Sequence, residues 1–175
     1  MTETSVVPVR KYGLFFAYGT LKSGHSRHHV LRDDRHCRHI GFAYTQGSFA
    51  LYYPDLKDET FPIMLQPQRK ESAYQVKGEL YRIPLDKYKN LDEIEGPTYS
   101  RIEIPLIWYL TEDWNNQNRP WFYAKATAYL GSRDDWEWAF KEKYMKPVPS
   151  WTRIVEPKFT YFDFTAKTGK EKAAK

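Results

Sequence analysis

The sequence predicts an α+β domain: a mixed or antiparallel sheet, suited to closure into a small barrel, with flanking helices. Three observations carry this. Apolar and aromatic runs of strand length recur between polar or Gly/Pro-containing breaks, only two segments hold helical spacing, and the two kinds do not alternate as βαβ units require. The chain, 175 residues with 41% apolar and 17% aromatic side chains, is long and apolar enough to bury one core, despite a mean hydropathy of -0.74.

Residues 1–11 are a leader expected to be flexible, its apolar residues interrupted by Glu3, Pro8 and Arg10. Residues 12–18 form the first strand, apolar nearly throughout and so expected to be covered on both faces. It stops at Tyr18-Gly19-Thr20, where glycine permits a tight turn and close approach of a ligand, and Thr20 adds a hydroxyl. Such a turn can present backbone amides to an anionic or carbonyl-bearing ligand, or be a turn only. Residues 23–34 are polar, with Arg and His, and read as a loop with a helical turn. Residues 40–45 and 47–53, around Gln46-Gly47, predict a hairpin.

Residues 54–60 are a polar loop, and 61–65 a short strand that Pro62 places at an edge. After the polar link 66–72, residues 74–83, YQVKGELYRI, are a strand. Pro84 is expected to open a helix in which Leu85, Tyr88, Leu91 and Ile94 form the apolar stripe, stopped by Gly96-Pro97. Residues 99–110 and 121–130 are long strands, with 111–120 a hairpin excursion between them. A second helix is expected over 134–146, with Asp134 and Asp135 near its start, an apolar stripe of Trp136, Ala139, Phe140 and Tyr144, and Pro147 as its end. Residues 151–164 are aromatic enough to pack back on the body, and 165–175 are expected to be disordered.

The net charge of +5 suits an anionic partner, but Lys and Arg are dispersed and the tail alone holds Lys167, Lys170, Lys172 and Lys175. The basic charge therefore reads as solvated surface. A single cysteine, Cys37, excludes an internal disulfide framework. No secretory segment follows Met1 and no apolar run reaches membrane-spanning length, so the expected location is cytoplasmic and no membrane partner is expected.

Three features compete for function. Glu95 ends the first predicted helix just before a glycine, where the helix dipole disfavours an acid, so no structural need places it there. Partly buried, such a carboxyl titrates at higher pH and can exchange protons near neutrality. The bland alternative is a surface acid at a helix end. All five histidines, His25, His28, His29, His36 and His39, fall in one window beside Asp33 and Asp34, but no HExxH pattern is present and the aspartates alternate with Arg32 and Arg35. A solvated surface is the default there, with no metal expected. Aromatic residues can stack bases, yet they sit mostly in predicted strands and no recognition motif accompanies them, so nucleic acid is not the expected partner.

Three blocks taken together, FFAYGTLKSG at 15–24, VKGELYRI at 76–83 and LDEIEGPTYSR at 91–101, resemble the gamma-glutamylcyclotransferase-like superfamily, which includes the AIG2-like proteins and the gamma-glutamylamine cyclotransferases. The resemblance covers about 12–130 of a single domain over 12–164, leaving an aromatic extension over 131–164 and the tail 165–175. It implies a small mixed β-barrel with flanking helices. It also implies that Tyr18, Gly19, Thr20 and Leu21 line a cavity whose amides hold a gamma-glutamyl group, that Glu95 is the catalytic acid/base, and that Tyr99 helps to form the pocket, with Arg101 following it as in the family pattern.

The implied chemistry carries its own nucleophile. The alpha-amine of a gamma-glutamyl amine or amino acid attacks the gamma-carbonyl, closing 5-oxoproline and expelling the amine without cofactor or metal. Folding the substrate into a near-attack shape is then a major part of the work. The alternative is a non-catalytic protein that uses the same cavity for a small acid, or its basic surface for an anionic polymer. Asp92 is assigned to the helix rather than to the chemistry.

Overall fold

A computed structural model describes residues 10–55, 61–69, 71, 73–110, 120–148, 161–162 and 171–172. Its strands are β1 (Tyr12–Ala17), β2 (Arg38–Thr45), β3 (Ala50–Pro54), β4 (Ile63–Leu65), β5 (Lys77–Pro84), β6 (Tyr99–Tyr109), β7 (Trp121–Gly131), β8 (Met145–Pro147) and the short β9 (Tyr161–Phe162) and β10 (Glu171–Lys172). The helices are α1 (His29–Arg32), α2 (Lys87–Glu95) and α3 (Glu137–Lys141). Among the described residues no helix is long and apolar enough to cross a membrane.

Five strands close a mixed barrel in the order β1-β5-β2-β6-β7. Every neighbouring pair is antiparallel except the closure, where β1 meets β7 in parallel at Phe15 and Thr127. The α+β barrel read from the sequence is therefore the architecture. Strand β1 shows why its apolar run is unbroken. Phe16 points into the barrel with Ala43, Leu80, Leu106 and Ala128, whereas Phe15 and Ala17 belong to an outer layer with Leu31, Tyr88 and Leu91 from the helices. Both faces are covered, and each fully buried Phe is worth about 1.5–3 kcal/mol. A third cluster joins Ile63 and Leu65 of β4 to Trp136 and Ala139 around α3.

Several expectations need correction. The hairpin over 40–53 does not form: β2 pairs with β5 and β6, while β3 lies in a separate sheet of order β4-β3-β8. Thr45 decides this, since its amide donates to the Val76 carbonyl at 3.0 Å and its hydroxyl accepts from the Val76 amide at 2.9 Å, while the Gln46 amide donates to Pro105 at 2.9 Å. Those bonds commit the chain to its barrel neighbours before it can fold back. Pro84 does not open the helix but ends β5 opposite Tyr12, α2 begins at Lys87, and Leu85 is exposed instead of joining the buried stripe.

The second helix is far shorter than expected. Lys143 adopts φ 61° and reverses the chain, and Met145–Pro147 becomes strand β8 against β3. Pro147 tolerates that place because β8 is an edge strand. For the same reason Tyr144, expected in the helical stripe, is exposed. The edge position expected for the strand near Pro62 is observed in β4.

Residues 1–9 of the leader, 111–119 of the excursion and most of 149–175 lie outside the described residues. Within the last stretch, β9 pairs antiparallel with β10.

Candidate active site

Two local signals from the sequence meet at one cavity. The first is the turn after β1. The amide of residue 22 donates to the Gly19 carbonyl at 3.1 Å and the Arg27 amide to the Thr20 carbonyl at 3.0 Å, closing a compact loop. Among the described residues none accepts from the amides of Gly19, Thr20 or Leu21, so those donors remain available to a ligand. Gly19 is required by close packing, because a Cβ there would stand 2.9 Å from Cγ of Pro62.

The second signal is the end of α2. Gly96 caps the helix at φ 76°, its amide donating to the Asp92 carbonyl at 3.0 Å, which ends the helix with Glu95 in its last position. The cavity, of about 230 Å³, is lined by Tyr18, Gly19, Thr20, Leu21, Glu95 and Tyr99 together. The structure thus brings the turn residues, Glu95 and Tyr99 to one place.

The electrostatics differ from residue to residue. Burial raises the Glu95 carboxyl above the usual glutamate range, opposed by the positive field of Arg27, and no described residue hydrogen-bonds that carboxyl. Burial, reinforced by the Glu95 charge, pushes the Tyr99 phenol well up, so it stays a neutral hydroxyl, 3.5 Å from the Pro62 carbonyl. Tyr18 is spent on the fold: its hydroxyl donates to the Tyr129 carbonyl at 2.8 Å and accepts from the Met64 amide at 3.3 Å. What Tyr18 offers a ligand is its backbone.

Sequence reasoning missed Arg27, Phe61, Trp136 and Tyr129 as lining residues. Arg27 looked like one more charge in a polar loop, and only its guanidinium contact with the Ile94 carbonyl, 3.4 Å away, places it beside Glu95. Trp136 was a member of a helical stripe. Its indole nitrogen is buried with no partner among the described residues, and its ring stands 5.7 Å from that of Phe61.

Asp92 ties α2 to the barrel, accepting from the Tyr129 hydroxyl at 2.6 Å and from Arg101 at 3.1 Å. Arg101 also stacks 5.0 Å over the Tyr88 ring and does not line the cavity. The histidines disperse: His39 packs edge-on against Tyr81 and Phe42, whereas His28 approaches the Tyr81 hydroxyl at 3.3 Å. Among the described residues no group of three or more His, Cys, Asp or Glu side chains is placed to hold a metal ion.

The loop has a deeper support in Glu79, buried on β5. Its carboxylate accepts from the Ser23 amide at 2.8 Å and the Tyr81 hydroxyl at 2.6 Å.

Comparison with known proteins fits this geometry. A family model described as gamma-glutamyl cyclotransferase, AIG2-like, matches residues 15–143, past the Leu130 end of the sequence resemblance and across Trp136. The crystal structure of an AIG2-like protein from Mus musculus is similar, with a TM-score of 0.60 at 23% identity over 83% of this chain and 91% of that one. A uropathogenic E. coli-specific protein matches with a TM-score of 0.54 at 15% identity, over 79% of this chain and 88% of that one. An allophanate hydrolase of Kluyveromyces lactis gives 0.56 at 12% identity, over 79% of this chain but 19% of that one. At these identities the solved structures share the fold. Among curated proteins none matches the chain.

Proposed function

We propose, because the chain belongs to the gamma-glutamyl cyclotransferase, AIG2-like family, that it releases 5-oxoproline and a free amine from a gamma-glutamyl amine or amino acid. The observation that carries this reading is Glu95: a carboxyl raised by burial, without a hydrogen-bond partner among the described residues, in the same cavity as the Tyr18 to Leu21 turn.

In the proposed reaction the substrate enters as an alpha-ammonium. Glu95 takes one of its protons, and the freed nitrogen attacks the gamma-carbonyl carbon. As the new C–N bond closes the five-membered lactam, negative charge grows on the carbonyl oxygen, and the amides of Gly19, Thr20 and Leu21 are the donors available to brace that oxygen or the alpha-carboxylate. The bond to the departing nitrogen then breaks as Glu95 returns its proton. The ring nitrogen loses its second proton through Glu95 to the departing amine in the same way, so two protons leave the alpha-nitrogen, two reach the departing amine, and Glu95 ends as it began. The neutral Tyr99 hydroxyl is a pocket wall and an uncharged donor. No cofactor is needed, and a cytoplasmic location would supply such substrates.

The test is release of 5-oxoproline by the purified protein from a panel of gamma-glutamyl amines and amino acids, repeated with Glu95→Gln. Release abolished by the substitution supports the reading. No release from any substrate, or a rate unchanged in Glu95→Gln, rejects it. Ligand binding that survives Glu95→Gln without any turnover would favour a small-acid binding protein instead.

A further inference from the structure

The cavity is sorted by charge, and that sorting bears on which amine departs. Arg27 and Glu95 are the ionic groups among its described lining residues, apart from neutral phenols, and they stand together at the end of α2, where the Arg27 guanidinium reaches the Ile94 carbonyl. The wall also carries a pair of aromatic rings, Phe61 and Trp136, with ring centres 5.7 Å apart and Phe61 preceding Pro62 in the chain. The turn links the two parts, since Gly19 packs directly against Pro62 while the Thr20 carbonyl holds the Arg27 amide. The turn therefore touches the charged pair on one side of its sequence and, through Pro62, the aromatic wall.

A gamma-glutamyl group brings one carboxylate and one ammonium. Arg27 answers the carboxylate and Glu95 the ammonium, which uses both counter-charges and sets the gamma-carbonyl at the turn. Whatever hangs from the departing nitrogen then falls against Phe61 and Trp136. A carboxylate or ammonium there would lose water and find no counter-ion of its own among the described lining residues, Arg27 and Glu95 being taken up by the gamma-glutamyl group, whereas an apolar group gains burial and ring contacts.

On the reaction proposed above, we infer that the preferred departing amine carries an uncharged aromatic or alkyl group, packed against Phe61 and Trp136, rather than an amino acid or a lysine side chain. Arg27 is then the carboxylate-binding residue and Trp136 the specificity-determining one.

The experiment compares kcat/KM for 5-oxoproline release from gamma-glutamyl-benzylamine, gamma-glutamyl-alanine and gamma-glutamyl-ε-lysine, with calorimetric binding of the same three compounds. The benzylamide is expected to lead by about tenfold or more, and Trp136→Ala to collapse that ratio toward one. Phe61→Ala carries the same expectation should Trp136→Ala fail to fold. Equal or better turnover of the alanine or lysine compound overturns the inference and leaves the reaction standing. Selective binding of the benzylamide with no 5-oxoproline from any compound sustains the aromatic subsite and rejects the reaction. Binding without selectivity, in the absence of turnover, overturns both.

Discussion

Glu79 and Glu95 both adjoin one loop, residues 18–28, and both carboxyls are withdrawn from bulk water. Glu79 is satisfied: the Ser23 amide and the Tyr81 hydroxyl both donate to it, and Tyr81 continues the network to His28, next to Arg27. Glu95 has no such donors among the described residues, and burial raises its carboxyl. Burial with partners builds a support, whereas burial without them leaves a group ready to exchange a proton. Glu79 holds the turn, and on the proposed reaction Glu95 works in the cavity that the turn lines.

Their difference can be broken from either side. Glu95→Gln should have the largest effect, a loss of about 10²–10⁴-fold in 5-oxoproline release, with the fold kept, as checked by steady-state rates beside circular dichroism. Glu79→Ala should act first on stability. It removes the acceptor shared by the part-buried Ser23 amide and the Tyr81 hydroxyl, at about 1–3 kcal/mol in all, read as a lower urea midpoint, while Glu79→Gln, which keeps an acceptor, should recover most of that loss. Residual activity of Glu79→Ala should show a raised KM, because Ser23 and Arg27 are then less firmly placed.

Gly19→Ala tests the turn between the two acids. The added Cβ, 2.9 Å from Pro62 Cγ, must displace either the turn or Pro62, and we expect a fall in kcat/KM of about tenfold with a stability loss of about 1 kcal/mol.

The smallest effects are in pH. Because burial raises Glu95 and Arg27 lowers it, the acid limb of kcat/KM should stand above the ordinary glutamate range and move further up in Arg27→Gln. The sign for stability is opposite to that of an ordinary surface acid: a carboxyl raised in the folded state favours folding while protonated and loses that advantage as pH rises through its folded value. Glu95→Gln should therefore match the natural protein in thermal midpoint at low pH and exceed it near neutrality.

Much of this was legible in the residues. The stop at Gly19, the helix end at Gly96 and the odd placement of an acid at Glu95 are local properties, set by which side chains tolerate a left-handed φ, a close contact or the negative end of a helix. The barrel was legible only as a class. Pairing depends on partners distant in sequence, and the bonds of Thr45 to Val76 overrode a hairpin that local composition favoured. The second helix likewise yielded when the segment after Lys143 found an edge of β3 to pair with.

The sequence by itself determined most of the strands, the stops at Gly19 and Gly96 and so the two halves of the candidate site, because backbone preference and helix polarity act over a few residues. Tertiary structure alone decided that the halves meet, that Arg27 and Trp136 join them, and that Glu79 is satisfied where Glu95 is not. Burial and hydrogen-bond partners are properties of neighbours in space, and for Glu79 those neighbours are Ser23, far away along the chain, and Tyr81, close by on the same strand.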